Sequence, residues 1–391
     1  MVAWASNINP AAWPALIVAA RKLVLLEPDR ASGWLALGNL LMEMDRFEEA
    51  ADVLSDGAAR LPAEPKVHRL LADARQKIGE IDAALAAVET ALSLAPHDQA
   101  TILSRFDFFV YAGRWDRVAQ DLDDVTTAAP TRRSVILAHA HFARGGGDPE
   151  ALLAVCEAAL AQQPGYTEAL YYKAIALSML GRDAEACAVI GLDSFVSLAK
   201  LPTCEEHIGG TDFLDALAEE ILRNPTLVPD PHGKATRGGL QTRALMQVGD
   251  KAVPLLLEQI KLAVDRYVDA LPALPHPFAI ARPMRVNLHA WAVVYPQDGW
   301  QKSHLHPDGW ISGVTYVTAP RIAGESKYRG PLVLGELNAE QYPHPPPWGV
   351  REVEPKPGWI VLFPSFVPHA TRPSGLAEQR ICVAFDVVRE T

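Results

Sequence analysis

Four side chains in the C-terminal half have the types and spacing of metal ligands. His304, His306 and Asp308 alternate along one strand-like segment, and His369 follows on a later one. Because successive side chains of a strand point to opposite faces, residues two apart share a face. Two imidazoles and a carboxylate on one side of a divalent ion leave its other positions open, as in non-haem iron(II) sites. The spacing therefore predicts an open metal site that suits Fe(II).

Short strands are the elements that must position these side chains. Beyond Arg282, β-branched and aromatic runs are bounded by Gly, Pro and Asp, which is the pattern of short strands. We expect eight of them, near residues 284–295, 301–308, 312–318, 331–336, 350–354, 358–363, 366–372 and 380–388. Two helices are predicted before them, at Leu214–Leu222 and Val253–Leu271. This order predicts a double-sheet jelly roll, or double-stranded β-helix, with flanking helices.

The first half carries a repeat of fixed length. Prolines recur every 34 residues, at Pro28, Pro62, Pro96, Pro130 and Pro164. Glycines keep the same step, at Gly79, Gly113, Gly147 and Gly181. This is the period of tetratricopeptide helix–turn–helix units, and over roughly residues 10–195 the sequence resembles that family. Because a single helix pair cannot bury its apolar face, we expect the units to stack into an all-α solenoid.

The repeat lapses near residue 195. The proline series predicts a proline at position 198, where the chain has Leu198. We therefore predict an α+β multidomain chain, with a tetratricopeptide domain at residues 1–195 and a jelly-roll domain at 196–391. The concave face of such an array often binds peptides. A scaffold or a dimerisation arm, and with it a homodimer, is an equal alternative.

Composition narrows the classes of partner. The 391 residues carry a net charge of −11, whereas nucleic-acid binding calls for a basic surface. The most apolar early stretch is interrupted by Arg21 and Lys22, and no basic segment with an apolar core begins the chain. Neither a membrane span nor a signal peptide is predicted. Four scattered cysteines fit a reducing compartment, so we expect a cytoplasmic protein without a nucleic-acid or membrane partner.

Taken together, the C-terminal motifs resemble the bacterial iron(II)/2-oxoglutarate-dependent oxygenases over residues 225–390. The matching segments are Trp291-Ala292…Tyr295, His304-Leu305-His306-Pro307, Ser312-Gly313-Val314-Thr315-Tyr316-Val317 and Pro357-Gly358…Phe363-Pro364-Ser365…His369. The resemblance implies Fe(II), 2-oxoglutarate and O2 as cofactor and co-substrates, with ascorbate as the reductant in vitro. The implied reaction is hydroxylation of an unactivated C–H bond.

Two ligand sets remain open. We prefer His306, Asp308 and His369, because a carboxylate offsets the charge of iron in a site that also binds a dianion. His304 then contacts the substrate or supports a ligand. In the second set His304 takes the place of Asp308, which leaves three histidines. It is favoured by prolyl-hydroxylase-like relatives, in which the first iron histidine follows a strand tyrosine at the spacing that separates His304 from Tyr295.

The same resemblance assigns the co-substrate contacts. Arg380, on the strand after His369, matches the basic residue of the family. Its planar guanidinium suits the far carboxylate of 2-oxoglutarate, and Arg372 is the weaker competitor. Tyr316 is expected to donate a hydrogen bond to the same carboxylate. Cys382 stands where the family often has a small hydroxyl residue.

The predicted function is that of an Fe(II)/2-oxoglutarate-dependent dioxygenase that hydroxylates a peptide or protein side chain, held partly by the repeat array. One alternative is a hydroxylase of a small molecule, such as an amino acid or a natural-product intermediate. Another is a non-catalytic interaction protein with an inactive jelly roll. A cupin-type metal enzyme without 2-oxoglutarate is the last alternative, and Arg380 argues against it because such an enzyme has no need of that side chain.

Overall fold

The computed structural model describes residues 3–4, 13–44, 46–201, 210–229, 235–242, 245–246 and 250–390. The chain forms two compact units. One is Asn7–Ala138, and the other is His139–Thr391 together with Met1–Ser6. Among the described residues, no helix is both long and apolar enough to cross a membrane.

The first unit is an array of paired helices. They are α1 (Trp13–Leu26), α2 (Ala31–Glu43), α3 (Phe47–Arg60), α4 (Pro65–Lys77), α5 (Ile81–Leu94), α6 (Gln99–Tyr111) and α7 (Trp115–Ala128), and α8 (Arg133–Arg144) crosses into the second unit. The chain turns between paired helices at Gly79 and Gly113, whose φ angles are +83° and +65°, a conformation that glycine adopts readily. Leu41, Leu54 and Val67 are enclosed in the core that the pairs share. The predicted repeat array is confirmed.

The second unit begins with further repeat helices. They are α9 (Pro149–Gln162), α10 (Thr167–Met179), α11 (Asp183–Ile190) and α12 (Leu192–Phe195). Leu170 and Ile175 of α10 are buried in the same core as Val383 of the jelly roll. The compact units therefore divide the chain earlier than residue 195, because the strands cover the apolar face of the last repeats. The domain boundary at residue 195 concerns the repeat motif and stays a prediction.

Three more helices precede the main strands. They are α13 (Gly210–Leu222), α14 (Ala252–Asp269) and α15 (Pro277–Ile280). The first two confirm the predicted helices. Leu256 and Ile260 of α14 are fully buried in the core of the second unit, so this helix packs its apolar stripe against the sheets.

Two sheets form the jelly roll. The larger contains β1 (Ala3–Trp4), β2 (Ser197–Lys200), β3 (Leu227–Pro229), β5 (Leu240–Thr242), β6 (Arg285–Tyr295), β8 (Gly309–Thr318), β11 (Trp359–Pro364) and β13 (Arg380–Arg389), in the order β2-β11-β8-β13-β6-β5-β3 with β1 beside β6. The smaller contains β4 (Thr236–Arg237), β7 (Trp300–His304), β9 (Leu332–Leu334), β10 (Arg351–Val353) and β12 (His369–Thr371), in the order β10-β9-β12-β7-β4.

The eight predicted strands are β6 to β13, so the predicted fold class is confirmed. The strands β1 to β5 were not predicted: they have two to four residues each and precede Arg282, where the run of strand-like segments begins. The alternation in β13 matters for the site. Arg380, Cys382 and Ala384 line one pocket, whereas Val383 and Phe385 point into the core shared with the helices.

Candidate metal and co-substrate site

Three histidines come together beside the pocket. His304 ends β7 and pairs in register with His369, which begins β12, and His306 lies two residues beyond β7. One nitrogen of each ring lies within 4.8 Å of those of the other two. The ring centroids of His306 and His369, the two histidines that both predicted ligand sets share, are 5.0 Å apart. The cluster has the ligand type and the spacing to hold one divalent ion.

Asp308 lies outside this cluster. The strand β7 ends at His304, and the chain then makes a tight turn in which the Gly309 N–H donates to the His306 carbonyl at 3.0 Å. Asp308 is exposed in that turn. The expectation that His304, His306 and Asp308 share one face is therefore wrong at Asp308, because β7 ends at His304 and the turn at Pro307 leaves Asp308 exposed. Of the two ligand sets, the geometry assembles the one that contains His304.

Each histidine of the cluster has an oxygen partner at its Nδ1. The His304 Nδ1 lies 2.8 Å from the Lys302 carbonyl oxygen, and the His369 Nδ1 lies 3.1 Å from that of Val367. The His306 Nδ1 meets both carboxylate oxygens of Asp386, at 2.6 and 2.7 Å. Because these oxygens accept hydrogen bonds, Nδ1 is the donor in each ring, and Nε2 is then the nitrogen suited to coordination.

Burial keeps two of these rings neutral. It lowers the pKa of His304 to about 3, with a further contribution from neighbouring His306. It also lowers the pKa of His369 well below the ordinary value, and the adjacent His304 and His306 act in the same direction. A neutral imidazole is the form that binds a metal ion, so the rings are ready for coordination at neutral pH.

A buried guanidinium shares the pocket with the histidines. Arg380 is 3% exposed, and its N–H groups donate to the carbonyl oxygens of Gly330, Arg372 and Gly299. Its Cζ lies 4.4 Å from the ring centroid of Tyr295. These contacts use three of the five N–H donors of a guanidinium. Arg380 is thus a fixed cation inside the jelly roll and not a solvent-facing edge residue.

The hydroxyl of Tyr295 lacks a hydrogen-bond partner among the described residues. The hydroxyl is buried and forms no hydrogen bond with any described residue, although the side chains of Thr371 and Thr236 lie close enough to affect its ionisation. Burial raises the pKa of Tyr295. A buried hydroxyl without a partner is costly, and one that lines a pocket beside a guanidinium is placed to receive a ligand.

The remaining predicted co-substrate residues divide between pocket and surface. Tyr316 and Cys382 line the pocket and are opposite each other on β8 and β13. Burial raises the pKa of Cys382 to about 11, so its thiol stays protonated. Arg372, the weaker competitor, instead forms a partly exposed ion pair with Glu336.

The pocket is lined by both sheets, and its roughly 540 Å³ of empty space includes solvent at its open mouth. Its walls are mainly apolar or aromatic, with the polar groups concentrated on the histidines and around Arg380. The lining side chains are Trp291, Val293, Tyr295, Gln301, His304, His306, Ser312, Gly313, Val314, Tyr316, Leu332, Phe363, His369, Thr371, Arg380, Cys382 and Ala384. Such a combination suits a small, charged ligand beside a metal ion.

Sequence reasoning missed Asp386, the carboxylate that contacts His306. A signal for it exists in the alternation of β13: counting by two from Arg380 passes Cys382 and Ala384 and arrives at Asp386. A carboxylate in phase with a predicted pocket arginine, on an otherwise apolar strand, is a candidate for the same interior.

Two family models match parts of this chain. Residues 289–386 match the family model described as "Putative 2OG-Fe(II) oxygenase", and residues 31–74 match a tetratricopeptide repeat. No curated protein matches the sequence.

Solved structures similar to parts of the chain include three of low identity. A Pseudomonas putida prolyl-4-hydroxylase is 20% identical, with a TM-score of 0.36, and the match covers 52% of this chain and 98% of that one. A Trichoplax adhaerens prolyl hydroxylase, in complex with a hypoxia inducible factor peptide fragment, is 13% identical, with a TM-score of 0.36, over 54% and 91%. A Parabacteroides merdae tetratricopeptide repeat protein is 17% identical, with a TM-score of 0.38, over 47% and 73%.

Proposed function

We propose that this chain is an Fe(II)- and 2-oxoglutarate-dependent oxygenase whose metal is held by His304, His306 and His369. The observation that carries the proposal is one pocket that contains both the three-histidine cluster and the buried guanidinium of Arg380. Neutral imidazoles are ligands for divalent iron. A fixed guanidinium and an unpartnered Tyr295 hydroxyl suit a carboxylate. The residues present therefore fit both the metal and a dicarboxylate.

Within this assignment, each pocket residue has a separate task. Arg380 binds the 2-oxoglutarate carboxylate that is remote from the metal. Tyr295 donates a hydrogen bond from its hydroxyl to that carboxylate, and Tyr316 is the further predicted contact. When bound, iron and 2-oxoglutarate supply the oxidation, in which O2 converts 2-oxoglutarate to succinate and CO2 while a substrate C–H becomes C–OH. We prefer the three-histidine set to His306, Asp308 and His369, because Asp308 is exposed and lies outside the cluster of histidines.

Apolar side chains limit access of water to the pocket. The ring of Phe363 packs edge-on against His369, with centroids 4.9 Å apart, and Val314 and Leu332 line the wall. Trp291 is half-buried, and its ring lies 5.6 Å from that of His306. This partly exposed aromatic beside a proposed ligand histidine offers the substrate a surface to pack against. Excluding water from the pocket prevents side reactions.

For the substrate, we propose a peptide or protein side chain. The repeat helices α9 and α10 belong to the same compact unit as the pocket, and such helices often carry peptide-binding surfaces. A small molecule is the second candidate, which the enclosed, largely apolar walls of the pocket favour. A cytoplasmic location and a homodimer remain predictions from the sequence.

The test is turnover by the full chain. Purified protein is incubated with Fe(II), ascorbate, O2 and 2-oxoglutarate, and succinate is measured with and without peptides from a digested cell extract or a pool of free amino acids. We expect succinate above background, stimulated more by the peptides than by the amino acids, and none from a His369→Ala variant. Succinate formation that is unaffected by His369→Ala would contradict the proposal.

A further inference from the structure

Beside His306 lies a short chain of largely buried polar groups, of which Ser312 also lines the pocket. Both carboxylate oxygens of Asp386 contact the His306 Nδ1, at 2.6 and 2.7 Å, and the two side chains are only 15% and 14% exposed. The Ser312 hydroxyl donates to the same carboxylate at 2.7 Å and lies 2.8 Å from the Ser365 hydroxyl. The Asp386 carboxylate is therefore held by His306 and by Ser312.

We propose that Asp386 is a positioning residue that supplies, through His306, the negative charge that a three-histidine ligand set lacks. This inference rests on the proposed function. In the usual set of two histidines and a carboxylate, one ligand itself brings a negative charge to the divalent ion. Three neutral imidazoles bring none, and the exposed Asp308 does not replace it. A carboxylate that accepts the Nδ1 proton makes the imidazole a more basic ligand.

The backbone holds this arrangement in register. Asp386 on β13 is opposite Ser312 on β8. The backbone N–H of His306 donates to the Ser365 carbonyl oxygen at 3.2 Å. Ser312 and Ser365 are almost completely buried, at 1% and 0% exposure. The ligand, the acid behind it and the serine that orients the acid thus come from separate strands and loops. A solvent-exposed carboxylate would not have these buried hydrogen-bond partners.

Metal affinity provides a test that does not depend on turnover. Co(II) is titrated into the full chain and its visible absorption is followed for the unaltered protein, for Asp386→Asn and for Asp308→Asn. Asparagine keeps the shape and one acceptor oxygen of Asp386 but removes the charge. We expect Asp386→Asn to bind Co(II) about 10- to 100-fold more weakly, with a changed absorption spectrum. Asp308→Asn, the matched control, keeps the affinity of the unaltered chain.

Two measurements separate this role from a purely structural one. The unfolding temperature of metal-free Asp386→Asn shows whether the fold is retained. Ser312→Ala leaves the charge but frees the carboxylate, and we expect it to weaken Co(II) binding by a smaller factor. If Asp386→Asn does not fold, an unchanged affinity in Ser312→Ala overturns the inference. Equal affinities in Asp386→Asn and the unaltered chain, or a greater loss in Asp308→Asn, also overturn it.

The same titration distinguishes this inference from the proposed function. If the unaltered chain binds Co(II) but forms no succinate from 2-oxoglutarate with any substrate tested, the oxygenase assignment fails. The ratio of the Asp386→Asn and unaltered affinities then still decides the role of Asp386. A chain that binds no divalent metal overturns both.

Discussion

The Thr167 hydroxyl donates a hydrogen bond of 2.6 Å to the carbonyl oxygen of Gly309, across 142 residues of sequence. Thr167 begins the repeat helix α10, and Gly309 begins β8 directly after the turn that contains His306. Both residues are buried. Because the Gly309 N–H also closes the turn onto the His306 carbonyl, the repeat helix supports the segment that holds a proposed ligand. The last repeats are part of the structure that forms the site.

This relationship predicts which shortened chains fold. A chain of residues 131–391 keeps α8 to α12 and is expected to unfold cooperatively and to bind Co(II). A chain of residues 196–391 lacks α10, exposes the core that Leu170 and Ile175 share with the sheets, and is expected not to fold. Thermal unfolding followed by circular dichroism compares the two chains. A cooperative transition in the shorter chain would contradict the prediction.

Thr167→Val tests the hydrogen bond to Gly309 by itself, in the full chain. It keeps the side-chain volume but leaves the buried Gly309 carbonyl oxygen without its donor, which costs about 1–3 kcal/mol of unfolding free energy. The effect is expected in the unfolding transition of the second unit, while that of the first unit stays unchanged.

The metal ligands provide the second prediction. His304→Ala is expected to weaken Co(II) binding strongly, because it removes one of three clustered imidazoles. Asp308→Ala removes an exposed side chain in the turn and is expected to change the affinity little. This order reverses the one that the preferred ligand set from the sequence implies. Titration of both variants with Co(II) checks it, and a greater loss in Asp308→Ala would restore the original set.

The reversal shows where local sequence patterns stop being informative. Strand alternation and breaker residues were sufficient to predict β6 to β13, because those strands are long or well bounded. The same alternation failed after His304, because the strand ends there and a turn at Pro307 carries Asp308 away. The role of Asp386 depends on the pairing of β13 with β8 and on the path of the turn at His306. These contacts join residues that are far apart in sequence, so no local sequence pattern predicts them.

Tyr295 provides the third prediction. Its buried hydroxyl forms no hydrogen bond among the described residues, so Tyr295→Phe removes a polar group and breaks at most its electrostatic interaction with Thr371 and Thr236. We expect the unfolding temperature to stay the same or to rise slightly. The affinity for 2-oxoglutarate is expected to fall about tenfold, because one hydrogen bond to a carboxylate is lost. Binding of 2-oxoglutarate to the anaerobic Fe(II) protein measures the affinity.

Arg380→Lys is the comparison variant for this binding experiment. It keeps a positive charge but not the planar donor geometry, and it leaves carbonyl oxygens of Gly330, Arg372 and Gly299 without their donors. Both the 2-oxoglutarate affinity and the stability are expected to fall. Unchanged affinity in both Tyr295→Phe and Arg380→Lys would place the carboxylate elsewhere.

The repeat array itself has a pH-dependent feature. Burial raises the pKa of Asp73, on α4, to about 6, although the adjacent Arg69 acts in the opposite direction. A carboxyl whose pKa is higher in the folded than in the unfolded state binds more protons when folded. Its contribution to stability is therefore greatest at acidic pH and is lost as the pH rises through about 6. Asp73→Asn is expected to stabilise the array at pH 8 by on the order of 1 kcal/mol.

Urea unfolding of the first unit at pH 5 and pH 8 measures this effect. The difference between Asp73→Asn and the unaltered chain is expected to be larger at pH 8 than at pH 5. The distance between the Arg69 and Asp73 side chains is 3.4 Å, and this partly exposed ion pair contributes little. If the variant is destabilised equally at both pH values, the ion pair and not burial dominates at Asp73.

Metal binding should stabilise only the unit that contains the histidine cluster. A ligand present at one hundred times its dissociation constant raises the free energy of unfolding by about 2.7 kcal/mol. We expect Co(II) at that excess to shift the urea transition of the second unit by this amount and to leave the transition of the first unit unmoved, which is the internal control. In His369→Ala the metal-dependent shift is expected to disappear. The comparison is made within the variant, with and without Co(II), because removal of a buried ring lowers its stability independently of the metal. An equal Co(II) shift in both units, or its persistence in His369→Ala, would place the metal outside the cluster.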